Sequence, residues 1–196
     1  MPSYDARRER LLATAARVFA AKGFAGTSMR DLARASAMSL AGMYYYVRGK
    51  DDLLFQIQKS CFEQVIAGGK EAASRPSSAE SRLEAFITHH VTFFATHMSE
   101  MKVLAHEAES LSGDLLREVR RLKRAYVDLL LTQLAALDGQ GADGRQRRDV
   151  AAFTLFGMMN WIYTWYDPAG PVGVDELAAQ ITRLFLNGYQ VEVSAS

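Results

Sequence analysis

The stretch "SMRDLARASAMSLAGMYYYVRGKDDLL", residues 28–54, decides how this chain folds. Ser28 followed three residues later by Asp31 is a helix start, with a hydroxyl at the N-cap and a carboxylate placed to bond back to it. The spacing predicts a helix over about 29–35 that buries Leu32, Met29 and Ala33. "SAM" at 36–38 breaks it, and Ser39 caps a third helix expected to run to Tyr46. "VRGK" at 47–50 interrupts again. Asp51 and Asp52 then open a fourth helix, where acids suit the positive end of the helix dipole.

Upstream, Leu11, Leu12, Ala15, Val18 and Phe19 form one apolar stripe, with Arg7, Arg8, Arg17 and Lys22 off it. "KGFAGT" at 22–27 ends that helix with two glycines. Two short helices joined by a tight turn and braced by longer neighbours make a helix-turn-helix arrangement. Tyr44, Tyr45 and Tyr46 stand just before Arg48 and Lys50. Neighbours on a helix point about 100° apart, so three consecutive rings cannot share one core and at least one faces a partner.

The charge distribution suggests which partner. Residues 1–60 hold ten Lys/Arg against five Asp/Glu, a net +5, while the remaining 136 residues net −4. A basic head on a mildly acidic body suits a polyanion that meets the head alone. The 196 residues, 49% hydrophobic and 23% charged with four prolines, are enough for a real core and speak against global disorder. Apolar runs fall short of a membrane span and residues 1–10 are charged and polar, so a cytoplasmic protein is expected. Cys61 is the single cysteine, which removes a disulfide framework and a multi-cysteine metal site.

Beyond residue 60 nearly everything reads as helix. The fourth is expected over 51–69, and "GGKEAASRPSSAES" at 68–81 reads as a connection. Five helical patterns follow at 81–98, 100–111, 114–137, 147–166 and 174–189, with "DGQGADG" (138–144) and "DPAGPVG" (167–173) separating the last three.

With all its elements in order, residues 7–60 resemble the DNA-binding domain of TetR-type transcriptional repressors. The resemblance implies an all-α homodimer with a three-helix DNA-binding domain over 1–50 and a helical ligand-binding and dimerisation domain over 51–196. It implies a double-stranded operator, with Tyr44 and Tyr45 offering hydroxyls to phosphates, Tyr46 close by and Lys50 meeting a phosphate as a point charge. Ser28 and Ser39, at the starts of the two short helices, are among the residues the resemblance assigns to DNA binding. Leu40, Ala41 and Gly42 permit close approach to the major groove, and Arg30 is the candidate to read a guanine edge. The alternative for Arg30, Lys50 and the tyrosines is solvated charge and packing. Two positions depart from the usual pattern. Ala37 stands where glycine is common and costs about 1 kcal/mol if its φ is positive, and Val47 replaces a larger core residue.

Residues 156–189 resemble the last two helices of a TetR subgroup that responds to acyl-coenzyme A thioesters. Asn160, Trp161, Trp165, Tyr166, Asp167, Pro168 and Gly170, then Leu184, Phe185 and Gly188, carry that likeness. Trp161 and Trp165, at i and i+4, make either an apolar wall for an inducer or part of a dimer interface. Phe86, Phe93, Phe94, Met98, Met101, Leu104 and Met158 suit an acyl slot, with His97 as a polar group. Arg117, Arg120 and Arg124 recur on one helix side, either for coenzyme A phosphates or as a solvated face paired with Glu118. No resident cofactor or metal is expected. His90 and His97 are expected to share a helix face, "HE" at 106–107 lacks the second histidine of a zinc-protease helix, and no nucleophile–base set supports a CoA-ester-processing enzyme.

Overall fold

The computed structural model describes residues 3–74, 78–138 and 144–194, with side chains to residue 189. Among these residues there are nine α-helices and a 3-10 turn, and no strand. In chain order they are α1 (Tyr4–Lys22), α2 (Met29–Ala35), α3 (Leu40–Tyr44), α4 (Lys50–Ser74), α5 (Ala79–Thr96), α6 (Met98–His106), α7 (Gly113–Asp138), α8 (Arg145–Asn160) and α9 (Val174–Ser194). The 3-10 turn covers Trp161–Thr164. The expected breaks at 75–77 and 139–143 lie outside the described residues.

Packing divides the chain into two compact units, Met1–Phe62 with His97–Leu122, and Glu63–Thr96 with Lys123–Ser196. The boundary expected at residue 50 falls instead inside the first unit. Leu53, Leu54 and Ile57 of α4 and Val103, Leu111 and Val119 from α6 onward belong to the same core as α1–α3, because a three-helix head has too little apolar surface to close by itself.

In the first unit, α1 starts at Ser3, whose hydroxyl accepts the Ala6 N–H, and stops at Gly23 with φ 75°, a left-handed value that favours glycine. Around Ser28 the capping box forms as the sequence demands. Ser28 donates from its N–H and hydroxyl to the Asp31 carboxylate, which these bonds hold at a pKa of about 2. Ala37 takes φ 52°, so the turn requires the left-handed conformation that alanine resists. The third helix ends at Tyr44, not Tyr46. Tyr45 and Tyr46 form a turn that swings Val47 into the core, where it is buried in place of a larger plug.

The second unit corrects the reading of residues 68–69 as a connection. Helix α4 runs through Gly68 and Gly69 to Ser74. A Cβ at Gly68 would stand 2.1 Å from the His89 ring, and one at Gly69 would stand 2.9 Å from Leu129 and 3.3 Å from Phe86. These glycines admit neighbouring side chains to the helix backbone, which outweighs their poor helix propensity of about 1 kcal/mol each. Leu83, Phe86, Ile87 and Val91 of α5 lie in the core with Leu130 and Leu134 of α7, Leu155 of α8 and Ile181 of α9. At the far end of α7 the buried Asp138 accepts from Tyr189 at 3.0 Å and faces Arg147 and Arg148 at 3.4 and 3.6 Å, tying together three helices. Burial and that carboxylate push the Tyr189 phenol up to about 12.

Candidate nucleic-acid interface

Met43 is fully buried, and its anchoring decides what the rest of α3 presents. Leu40, Ala41, Tyr44 and Tyr45 face outward, with Tyr44 53% and Tyr45 73% exposed. Ser39 caps the helix by accepting the Gly42 N–H at 3.0 Å. A Cβ at Gly42 would lie 3.1 Å from the Ser39 hydroxyl, so the glycine gives the cap room. Arg30 is exposed on α2. The rings of Tyr44 and Tyr45 are therefore surface groups and not core packing. A five-residue helix with small residues leading and phenols trailing offers a duplex a narrow apolar tip flanked by hydrogen-bonding rings.

Three of the expected contact residues are more engaged than the sequence suggested. Lys50 is half-buried; its ammonium donates to the Phe24 carbonyl at 2.9 Å and lies 4.3 Å from the centre of that ring. The Ser28 hydroxyl proton is committed to Asp31. Tyr46 is half-buried, stacked on Tyr4 with ring centres 5.0 Å apart. Two further residues had no local signal in the sequence. Glu107, at the end of α6, accepts the Phe24 N–H at 2.9 Å, so both polar groups of that one peptide position are held by side chains. Tyr4 comes from the first turn of α1, and only tertiary packing brings it beside residues 45 and 46.

The residues expected to meet a ligand belong to both units. His97, Met101 and Arg120 fall in the first, and Phe93, Phe94, Arg124, Met158, Trp161 and Trp165 in the second. Phe93 and Phe94 meet edge to face at 5.1 Å, and Phe94 and Met101 are buried. Arg120 pairs with Glu109 and Arg117 with Asp114, both on the surface, and it is Arg121 that pairs with Glu118. Arg124 is exposed.

The tryptophans need correction. Helix α8 ends at Asn160 and tightens into a 3-10 turn over Trp161–Thr164, and Trp165 follows as its C-cap with φ −138°, so the 3.6-residue period that predicts a shared helical face does not reach it. Both rings are 60% exposed. His90 and His97 do not share a helix face either, since α5 ends at Thr96 and His97 caps α6. His90 is buried among Phe94, Tyr126 and Phe156, with Nδ1 3.0 Å from the Tyr126 hydroxyl. Burial pushes its pKa down to about 3, so the ring is a neutral core group. Burial likewise raises the Cys61 thiol, the reverse of what a nucleophile needs. Among the described residues no group of three His, Cys, Asp or Glu is placed to hold a metal ion, and no helix is long and apolar enough to cross a membrane.

Comparison with known proteins agrees with this geometry. The profile described as bacterial regulatory proteins of the tetR family matches residues 11–57, and that of the tetracyclin repressor-like C-terminal domain matches residues 76–189. The chain belongs to the TetR family. It is a transcriptional regulator, and its relatives are regulators rather than enzymes. It is 25% identical over 187 residues to the HTH-type transcriptional repressor KstR2 of Rhodococcus jostii, covering 93% of this chain and 90% of that one. A TetR-family regulator from Bordetella parapertussis superposes with a TM-score of 0.89 at 26% identity, covering 95% and 97% of the two chains. AibR, solved in complex with isovaleryl coenzyme A and operator DNA, superposes at 0.76 with 28% identity, covering 91% and 97%.

Proposed function

We propose that this TetR-family regulator is a repressor that binds a near-palindromic operator as a homodimer and is released by an acyl-CoA thioester. The observation that carries the DNA reading is the outward presentation of Leu40, Ala41, Tyr44 and Tyr45 around a buried Met43. The small leading residues enter the major groove, Tyr44 and Tyr45 donate to phosphates, and Arg30 lies on the neighbouring helix within the same unit. Lys50 spends one of three ammonium donors on Phe24, which leaves two for a phosphate.

Dimerisation through α8 and α9 is supported by their surface. Val150, Phe153, Gly157 and Trp161 recur at i, i+3, i+7 and i+11, and all are exposed, as are Leu184 and Gly188 of α9. Exposed apolar side chains of this size on adjacent helices mark an association face. A Cβ on Gly157 or Gly188 would meet nothing within 4 Å among the described residues, so no described neighbour demands these glycines, whereas partner helices approaching closely would. Trp161 accordingly belongs to this face. Two copies related by a two-fold axis carry two α3 helices, which matches an operator of two symmetric half-sites.

For the inducer, the support is the resemblance of residues 156–189 to acyl-CoA-responsive relatives and the likeness to AibR, whose complex holds isovaleryl coenzyme A. Ligand lowers operator affinity by its preference for a shape that binds DNA poorly. The test is a mobility shift on the operator with a panel of acyl-CoA thioesters and the matching free acids, alongside thermal melts. Thioesters should release DNA and raise the melting temperature while free acids do neither; no response to any thioester would replace this inducer class with another hydrophobic metabolite. In the same assay Tyr44→Phe should weaken operator binding roughly three- to tenfold, the worth of one hydrogen bond.

A further inference from the structure

Helix α3 has five residues, too few to hold its own trailing side chains in place. Tyr45 caps it and Tyr46 follows in a turn, so whatever fixes these two rings must come from elsewhere. Two side chains of α1 do this. Tyr4 lies nearly flat on Tyr46, with centres 5.0 Å apart and planes inclined by 25°, and stands edge-on to Tyr45 at 5.8 Å. Tyr45 and Tyr46 are themselves perpendicular at 5.2 Å, so each of the three rings touches the other two. One turn further along the same helix face, Arg8 Nε donates to Gln56 Oε1 at 3.0 Å, and Gln56 Nε2 donates to the Tyr46 carbonyl and to Asp52. Asp52 in turn accepts the Arg48 N–H at 2.8 Å. The turn after α3 is thus held by its ring from Tyr4 and by its backbone from Arg8 through Gln56.

We propose that Tyr4 is a positioning residue for operator binding, which acts by stacking on Tyr46 and so holds the Tyr45–Tyr46 edge in the orientation that meets the sugar–phosphate backbone. The ring is 48% exposed, so it contributes little to the core. Offset-stacked and edge-to-face pairs fix relative orientation beyond what burial supplies. A half-exposed ring that contacts the exposed Tyr45 and the half-buried Tyr46 gains its function from order, by removing rotamer freedom that DNA binding would otherwise have to remove. Tyr4 then affects affinity without touching a base. This inference rests on the reading that the Tyr44–Tyr46 surface meets DNA.

The experiment compares operator affinity, by fluorescence anisotropy on a labelled duplex, for the full chain carrying Tyr4→Ala, Tyr4→Phe, Tyr46→Ala, the double variant Tyr4→Ala with Tyr46→Ala, and Tyr45→Ala. Thermal melts accompany each. Tyr4→Ala is expected to weaken operator binding roughly three- to tenfold, the range one aromatic pair carries, with the melting temperature close to wild type. Tyr4→Phe keeps the stack and should bind as wild type. The double variant should be no weaker than Tyr46→Ala alone, since a residue acting through another loses its effect when that other is gone. Wild-type affinity for Tyr4→Ala overturns the proposal. So does a Tyr4→Phe loss equal to that of alanine, which would assign the hydroxyl a direct DNA contact, and so does a double variant whose losses multiply. Tyr45→Ala separates the two levels of the argument. If it binds as tightly as wild type, the phosphate-contact reading itself fails; if it weakens while Tyr4→Ala does not, only the positioning role falls.

Discussion

Lys50 and Phe24 are joined twice, by an ammonium-to-carbonyl hydrogen bond of 2.9 Å and by the same ammonium lying 4.3 Å from the ring centre. The first residue of α4 is thereby fastened to the turn that leads from α1 into α2, and Glu107 fastens the other side of the same peptide position through the Phe24 N–H. Gln58 donates to the Glu107 carbonyl at 3.0 Å, and Ser110 donates to the Glu107 carboxylate. Phe24 is therefore where α4 and the end of α6 meet the head within the first unit.

Lys50→Met keeps the aliphatic stem and removes the charge. It should lower stability by about 1–2 kcal/mol, the worth of a charged hydrogen bond with a partly exposed cation–π contact. Urea denaturation measures this. An unchanged midpoint would mean that the ammonium is held no better here than in water.

Ala37 offers a gain. Its φ of 52° penalises a side chain carrying Cβ, and Ala37→Gly should stabilise the chain by up to about 1 kcal/mol despite the extra freedom glycine gives the unfolded state. A rise in melting temperature is expected, with operator affinity at least preserved, and a fall would show that the turn relaxes without strain.

Charge placed on the α8–α9 face should separate the copies. Phe153 and Leu184 are 61% and 67% exposed in the single chain, so glutamate there leaves each copy folded while making a dimer interface unfavourable. Sedimentation velocity of Phe153→Glu and Leu184→Glu should report a folded species of half the wild-type mass. Wild-type mass in both variants would move the interface elsewhere.

Acid should act through His90. Its pKa falls from the ordinary 6.5 to about 3 because burial penalises the charged ring, with the neighbouring His89 adding to the effect. The unfolded chain takes up this proton near pH 6.5 while the folded chain refuses it. The histidine's contribution is therefore complete above pH 6.5 and is lost progressively toward pH 3. His89, also lowered by burial, works in the same direction. Denaturant titrations from pH 7 to 4 should show the decline, and His90→Phe, though less stable at pH 7 for want of the Tyr126 bond, should show a shallower one. Parallel slopes would assign the acid sensitivity to other groups.

Much of the head was legible because its signals are local. The Ser28–Asp31 capping box, the Ser39 cap and the break at 36–38 each depend on residues within a turn or two. Where α3 stops was not legible, since Val47 reaches the core only if the chain turns at Tyr45 and Tyr46. Gly68 and Gly69 misled for the same reason. A glycine pair marks a break by local propensity, and here the ring of His89 and the side chain of Leu129 require it inside a helix. Trp161 and Trp165 were placed on one helical face by a 3.6-residue period that ends at Asn160.

By itself the sequence determined an all-helical chain, the start of each short helix and the basic head, since these follow from period, capping chemistry and charge over short spans. Only the tertiary structure decided that Tyr4 stacks on Tyr46, that Lys50 and Glu107 share Phe24, and that the core of the head takes in part of α6 and α7. Those contacts join residues 26 to 83 positions apart, and no local pattern encodes a pairing that arises only when two helices bury their apolar faces against one another.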